Sequence, residues 1–204
     1  MLYYYIMYAY CSNFVNFDTI HSMMELGSGS GKQIEVIKKL HPDACFYVFD
    51  IPPQLYVCQQ YLSALFPDSV VPYEKTRSMK SIPEERKGKI FIFGTWKLPE
   101  ITNLSYDLFW NSASLQEMEP HVVLNYLGFV NAQAKYAFLF ETMIGTIVAA
   151  SPGSHGVLER TTFEHYEKGL KNFKLRDMSR AVTIPNLKTN KNFAFWVRKN
   201  LELE

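Results

Sequence analysis

The sequence predicts a single α/β domain built on a mostly parallel sheet. Three observations carry this. Short runs of β-branched and aromatic residues alternate with stretches of helical period along the whole chain. A glycine cluster sits where the first such run gives way to the first helical stretch. The last two runs follow one another with no helical stretch between them, which calls for one antiparallel strand near the C-terminus.

The elements follow in order. Met1–Phe17 is uncharged and rich in Tyr, and reads as an aromatic helix or lid within residues 1–20. It lacks a basic leader and a small-residue cleavage site, and it is laced with Ser and Asn. A signal peptide and a membrane span are therefore not expected. Ser22–Leu26 is the first strand, and Lys32–Leu40 a helix with Ile34, Ile37 and Leu40 on one face. Cys45–Phe49 is a continuous apolar run of the kind a buried parallel strand shows. Pro52 and Pro53 suit a helix start, with Gln54–Phe66 continuing it. Val70–Tyr73 and Lys89–Phe93 are strands, joined by a polar surface connection from Glu74 to Lys87. Tyr106–Trp110 is a strand, Pro120–Ala134 a helix and Lys135–Phe140 a strand. Thr142–Val157, rich in Gly, Ser and Ala, reads as a mobile loop over one end of the sheet. Leu158–Gly169 is helical. Phe173–Arg180 and Phe193–Arg198 are the closing strands, linked by a turn over Ile184–Asn192, and Leu201–Glu204 is a tail.

Composition narrows the function classes. The chain has 204 residues, 48% of them hydrophobic, which suffices for one sizeable core and excludes a disordered or disulfide-stapled chain. A net charge of +1 and the lack of a basic stripe argue against nucleic acid as a partner. Three scattered cysteines, Cys11, Cys45 and Cys58, form no metal motif and fit reduced thiols in a cytoplasmic protein. The aromatic content is 15%, which suits either an aromatic core or a deep aromatic-lined pocket.

Glu25-Leu26-Gly27-Ser28-Gly29-Ser30-Gly31 is the most informative stretch. Glycines at a strand-to-helix turn allow positive φ and close approach of a ligand, and the helix start offers free N–H groups. A phosphate-binding P-loop fails twice, because Leu26 stands at its first glycine and Gln33 at its Ser/Thr. A dinucleotide turn fails once, because Lys32 stands at its third glycine, which disfavours a nicotinamide oxidoreductase. The pattern acid-x-Gly-x-Gly-x-Gly resembles the first motif of class I S-adenosylmethionine-dependent methyltransferases. Asp50 ends the next strand about twenty residues on, where a carboxylate can accept from ribose hydroxyls.

Three stretches together resemble a bacterial sugar O-methyltransferase family. They are the glycine motif, Asp50-Ile51-Pro52-Pro53 with Tyr61-Leu62-Ser63, and Asn111-Ser112-Ala113-Ser114-Leu115-Gln116-Glu117-Met118. They span roughly Met24 to Tyr126; from Ala149 onward the likeness is only in outline. The resemblance implies a Rossmann-like, doubly wound, mostly parallel seven-stranded sheet with an antiparallel strand near the C-terminus. It further implies S-adenosylmethionine as cofactor, with Glu25, Gly27, Ser28, Gly29, Gly31, Asp50 and Asn111 as its binding residues, while Ile51, Tyr56 and Trp96 stand where they could border the adenine or the acceptor. A sugar or sugar-derived hydroxyl is the implied acceptor, and self-association into a homo-oligomer stays open. Glu117 is the first candidate base, with His121 one turn on and His155 in the Ser-Pro-Gly-Ser-His-Gly stretch as alternatives. Asp107, Glu117 and Glu119 lack the spacing of a metal site, so no metal is expected. A methyltransferase for another small metabolite and a cofactor-binding module without transfer activity are the rival readings.

Overall fold

The computed structural model describes residues 1–181 and 190–201. Most of the expected Ile184–Asn192 turn, and the tail beyond Leu201, lie outside the described residues. The chain divides into two compact units, Met1–Trp110 and Asn111–Glu204.

In the first unit, helix α1 (Leu2–Cys11) leads into strand β1 (Ser22–Leu26), helix α2 (Lys32–Leu40) and strand β2 (Cys45–Asp50). Helix α3 (Pro52–Leu65), the two-residue strand β3 (Val70–Val71), the single turn α4 (Tyr73–Thr76) and strand β4 (Ile90–Gly94) follow. Strand β5 (Tyr106–Ser112) carries the chain across the unit boundary. The strand order is β3-β4-β2-β1-β5. β1, β2 and β4 pair in parallel, and every residue in these three strands is buried, as suits runs that are apolar apart from Ser22 and Glu25 in β1 and Asp50 at the end of β2. Asp107 ties the start of β5 to that of β1, its Oδ2 accepting from the backbone N–H of His21 and of Ser22, both at 2.9 Å.

The aromatic N-terminus is a ten-residue helix docked on the first unit. Met7 and Cys11 are buried, and Tyr8 Oη lies 2.8 Å from His41 Nε2 just past α2. Tyr8 also packs on Phe17 at 4.5 Å between ring centroids. Among the described residues no helix is long and apolar enough to cross a membrane.

The second unit takes the end of β5 and adds helix α5 (Pro120–Gln133), strand β6 (Ala134–Glu141), helix α6 (Phe163–Gly169), strand β7 (Phe173–Arg180) and strand β8 (Asn192–Arg198). The order is β5-β6-β8-β7, with β8 antiparallel to both neighbours. β7 forms the edge and alternates between covered and open positions, with Lys174, Arg176 and Arg180 among the charged residues that discourage further pairing.

The sheet is thus mixed and eight-stranded, mostly parallel with one antiparallel strand near the C-terminus. Its eight strands match the eight runs read from the sequence, one more than the seven the family resemblance implies. β3 is short because Pro72 starts a helical turn in place of its continuation to Tyr73. The expected Leu158–Gly169 helix begins only at Phe163. Thr162 and His165 form a reciprocal cap there, and this cap fixes the start of α6.

At Gly169, α6 lies close against α5: a Cβ there would lie 2.5 Å from Leu127 Cδ1 and 2.7 Å from its Cβ. Gly169→Ala is expected to cost about 1–3 kcal/mol through overpacking, read as a lowered midpoint in denaturant unfolding. An unchanged midpoint would show that the two helices separate freely.

Candidate functional site

The first unit carries the cofactor-type turn. Leu26 pairs with Phe49 in register, so the chain leaves β1 level with the end of β2, and the Gly27 N–H donates to the Phe49 carbonyl at 2.8 Å. Gly27, Gly29 and Gly31 have φ of 75°, 55° and 79°, all in the left-handed region. The glycines do different work. Nothing lies within 4 Å of a Cβ built on Gly29, so its backbone faces open space. A Cβ on Gly31 would meet Leu62 Cγ at 2.9 Å and Cys58 Sγ at 3.0 Å, so this glycine lets the start of α2 press on α3.

Asp50 organises the turn from the end of β2. Its Oδ2 accepts from the Gly29 N–H at 2.9 Å and from Ser28 Oγ at 3.2 Å, while its Oδ1 accepts from the Ile51 N–H at 2.8 Å. Burial raises its pKa and these hydrogen bonds counter the rise. Glu25 is a different kind of group. It is 2% exposed, and its Oε2 is buried with no hydrogen-bond partner among the described residues. Burial, and secondarily the charge of Asp50, push its pKa well up. A buried carboxyl oxygen left unpartnered is costly unless something else meets it.

Ile51 and Trp96 stand at the surface of this unit, 54% and 45% exposed. The Trp96 indole folds over Gly94, where a Cβ would lie 2.3 Å from the ring. It borders a cleft of about 330 Å³ lined by Pro52, Leu55, Tyr56, Gln59, Tyr73 and Glu74. The Tyr61-Leu62-Ser63 stretch is a strut: Leu62 packs under Gly31, and Tyr61 donates its hydroxyl to the Glu35 carboxylate.

The remaining expected site residues lie in the second unit. Asn111 is fully buried, its Nδ2 donating to Ser114 Oγ at 2.7 Å and its Oδ1 accepting from the Leu115 N–H at 3.3 Å. Ala113 has a φ of 62°, the one positive φ at a non-glycine among the described residues, and its N–H donates to the Phe140 carbonyl at 2.9 Å. Strain of this kind persists only where the surroundings over-determine it. Glu117, His121 and His155 are all exposed. The glycine- and serine-rich segment is tied at its far end, where Glu119 accepts from the backbone N–H of Leu158 at 2.7 Å and of Glu159 at 3.0 Å. Val148 and Val157 bridge its base, leaving His155 near the tip. Among the described residues no three His, Cys, Asp or Glu side chains gather as a metal-ligand group.

Two residues absent from the sequence-based set hold the Asn111–Met118 loop. Glu141, at the end of β6 and fully buried, takes the N–H groups of Ser114 and Leu115 on Oε1 at 3.1 and 3.3 Å, and that of Gln116 on Oε2 at 3.2 Å. The Gln116 side chain accepts from the Thr142 N–H and donates to Glu117 Oε1, both at 2.9 Å. A sequence signal existed for Glu141, an acid ending a strand as Glu25 and Asp50 approach the ends of theirs. For Gln116 there was none.

No family model matches the sequence, and no curated protein does. Solved structures do. The pyocyanin biosynthetic protein PhzM is 17% identical with a TM-score of 0.61, over 95% of this chain and 55% of that one. The mitomycin 7-O-methyltransferase MmcR is 13% identical with a TM-score of 0.61, over 97% and 54%. The magnesium protoporphyrin IX methyltransferase ChlM from Synechocystis PCC 6803 is 12% identical with a TM-score of 0.60, over 96% and 76%. The chain therefore shares the Rossmann-like fold of these solved structures. The chain spans about half the length of the first solved structures it matches.

Burial raises the Glu141 carboxyl from its ordinary 4.5 to about 7, against the pull of Lys191 and of the three N–H groups. Between those values the folded chain binds more protons than the unfolded one, so stability falls as pH rises from about 4.5 to about 7, by roughly 3 kcal/mol from this group. Glu141→Gln is expected to flatten that slope in denaturant titrations across the interval. An unaltered slope would assign the pH dependence to other groups.

Proposed function

We propose that the chain is the core of an S-adenosylmethionine-dependent methyltransferase that methylates a hydroxyl on a sugar or sugar-derived small molecule. The observation that carries the cofactor reading is the pairing of an unpartnered buried oxygen on Glu25 with a glycine turn whose backbone at Gly29 faces open space. A ligand bearing an ammonium group and a sulfonium centre meets both needs, because it brings donors and positive charge to a buried acid. The residues present therefore fit this cofactor. Glu25 would take its cationic portion, the Gly27–Gly31 turn would lie along it, Asp50 would meet the ribose, and Ile51 and Trp96 would border the adenine. The solved PigF structure contains S-adenosylhomocysteine and that of ChlM contains S-adenosylmethionine, which supports the same assignment here.

When bound, the cofactor supplies an electrophilic methyl group on sulfur. The protein must then orient an acceptor hydroxyl and receive its proton. Glu117 is assigned the proton, being an exposed carboxylate on a loop whose backbone is fixed by a buried acid. A base of this kind contributes about 10²–10⁴-fold in rate. His121 and His155 are the alternatives. The sugar acceptor rests on the likeness of the Asn111–Met118 and Asp50–Pro53 stretches to the sugar O-methyltransferase family. Three free, buried cysteines support a reducing, cytoplasmic setting.

Isothermal calorimetry with S-adenosylhomocysteine is expected to show binding that Asp50→Ala weakens at least tenfold; no binding by the intact chain would end the cofactor reading. Glu25 holds its proton more tightly than an ordinary carboxyl, so meeting a cationic ligand should draw that proton off. Affinity should therefore rise with pH, and proton release should appear as a binding enthalpy that depends on the buffer. A labelled-methyl screen against glycans and nucleotide-sugars tests the acceptor. Cofactor binding with no transfer across that panel would favour a binding-only module.

A further inference from the structure

We infer that Gln116 and Glu141 are positioning residues for the Glu117 carboxylate, Gln116 setting its direction and Glu141 the place of the loop that carries it. The inference rests on reading Glu117 as the base.

The Gln116 side chain is held in one sense only. The Thr142 backbone N–H can only donate, so the amide oxygen must face it, and the amide NH₂ is thereby turned toward Glu117, which accepts. Gln116 is 6% exposed whereas Glu117 is exposed. A buried polar side chain thus links the backbone just past β6 to a carboxylate at the surface. Burying an amide costs free energy unless both its ends are met, and here each end has a different partner. With Oε1 committed to Gln116, the other oxygen of Glu117 is left to take a proton.

Glu141 acts one layer further in. Its carboxylate gathers three consecutive N–H groups, those of Ser114, Leu115 and Gln116, and so fixes the backbone on which Gln116 and Glu117 are mounted. Asn111 closes the same loop from its start, and the positive φ of Ala113 lies between these two anchors. Lys191 is the charged group whose field reaches Glu141, and the charges of Glu141 and Glu117 both act on Lys191 and on the buried Tyr166 hydroxyl. Glu141 is therefore a scaffold for the loop, and Gln116 is the contact that aims the base.

The test compares Gln116→Leu, Glu117→Gln and the double variant with the intact chain, all matched for thermal stability. In ¹⁵N NMR, the Gln116 carboxamide signals, identified by their loss in Gln116→Leu, are expected to move in Glu117→Gln; signals that stay put overturn the inference. In labelled-methyl transfer to the glycan and nucleotide-sugar panel, Gln116→Leu should lower kcat about 10–100-fold with KM for the cofactor unchanged. It should cause no further loss in the Glu117→Gln background. Equal losses in both backgrounds, or a fall confined to cofactor KM, overturn the inference. Glu141→Gln, which keeps the shape but cannot accept all three N–H groups, should also lower kcat. Full turnover by Glu117→Gln removes the base reading itself. That failure is distinguished from failure of the positioning role, in which Glu117→Gln is impaired and Gln116→Leu is not. If the panel yields no acceptor, the NMR comparison alone decides.

Discussion

One carboxylate fixes the geometry on which the cofactor-type half of the molecule depends. Asp50, at the last position of β2, gathers the backbone N–H of Gly29, the hydroxyl of Ser28 and the N–H of Ile51. It thereby holds two consecutive crossings together: the turn from β1 into α2, and its own exit into α3. Without it the Gly29 N–H would lose its acceptor, and no described atom lies within 4 Å of its side-chain face to hold it instead. The remaining constraint is steric. Leu62 and Cys58 of α3 come so near Gly31 that only a residue without a Cβ lets α2 start where it does. A hydrogen-bonding acid on one side and a packed helix on the other leave the turn a single shape.

The second unit repeats this device with a different acid. Glu141 ends β6 as Asp50 ends β2, and it too collects backbone N–H groups from a loop leaving a neighbouring strand. The difference is in solvation. Asp50 keeps slight exposure, whereas Glu141 has none, so its charge is maintained only by the groups that surround it. A fully buried acid of this kind ties the order of its loop to its own ionisation.

Much of this was legible in the sequence, for identifiable reasons. Strands buried on both faces leave mostly apolar runs, so β1, β2 and β4 stand out as Ser22–Leu26, Cys45–Phe49 and Lys89–Phe93 within a residue. The glycine turn and Asp50 could be read because the backbone conformation at the turn restricts residue type. The start of α6 was missed by five residues, since a cap between Thr162 and His165 depends on a local side-chain exchange that periodicity does not record. Gln116 was invisible for a related reason. Its role comes from Thr142, twenty-six residues further along, and nothing local in Leu115-Gln116-Glu117 points there. The Tyr61-Leu62-Ser63 stretch shows the reverse case, in which a family-like motif supplies packing for Gly31 rather than contact chemistry.

The placement of the tryptophans gives the molecule a built-in optical reporter. Of its three indoles, Trp110 is fully buried and Trp196 is 3% exposed, while Trp96 is 45% exposed at the rim of a cleft. Aqueous quenchers such as iodide therefore reach one emitter and spare two. The red edge of the intrinsic fluorescence follows that single surface ring, and the blue edge follows the interior. Occupancy of the cleft and loosening of the core can thus be resolved in the same emission spectrum, without a label.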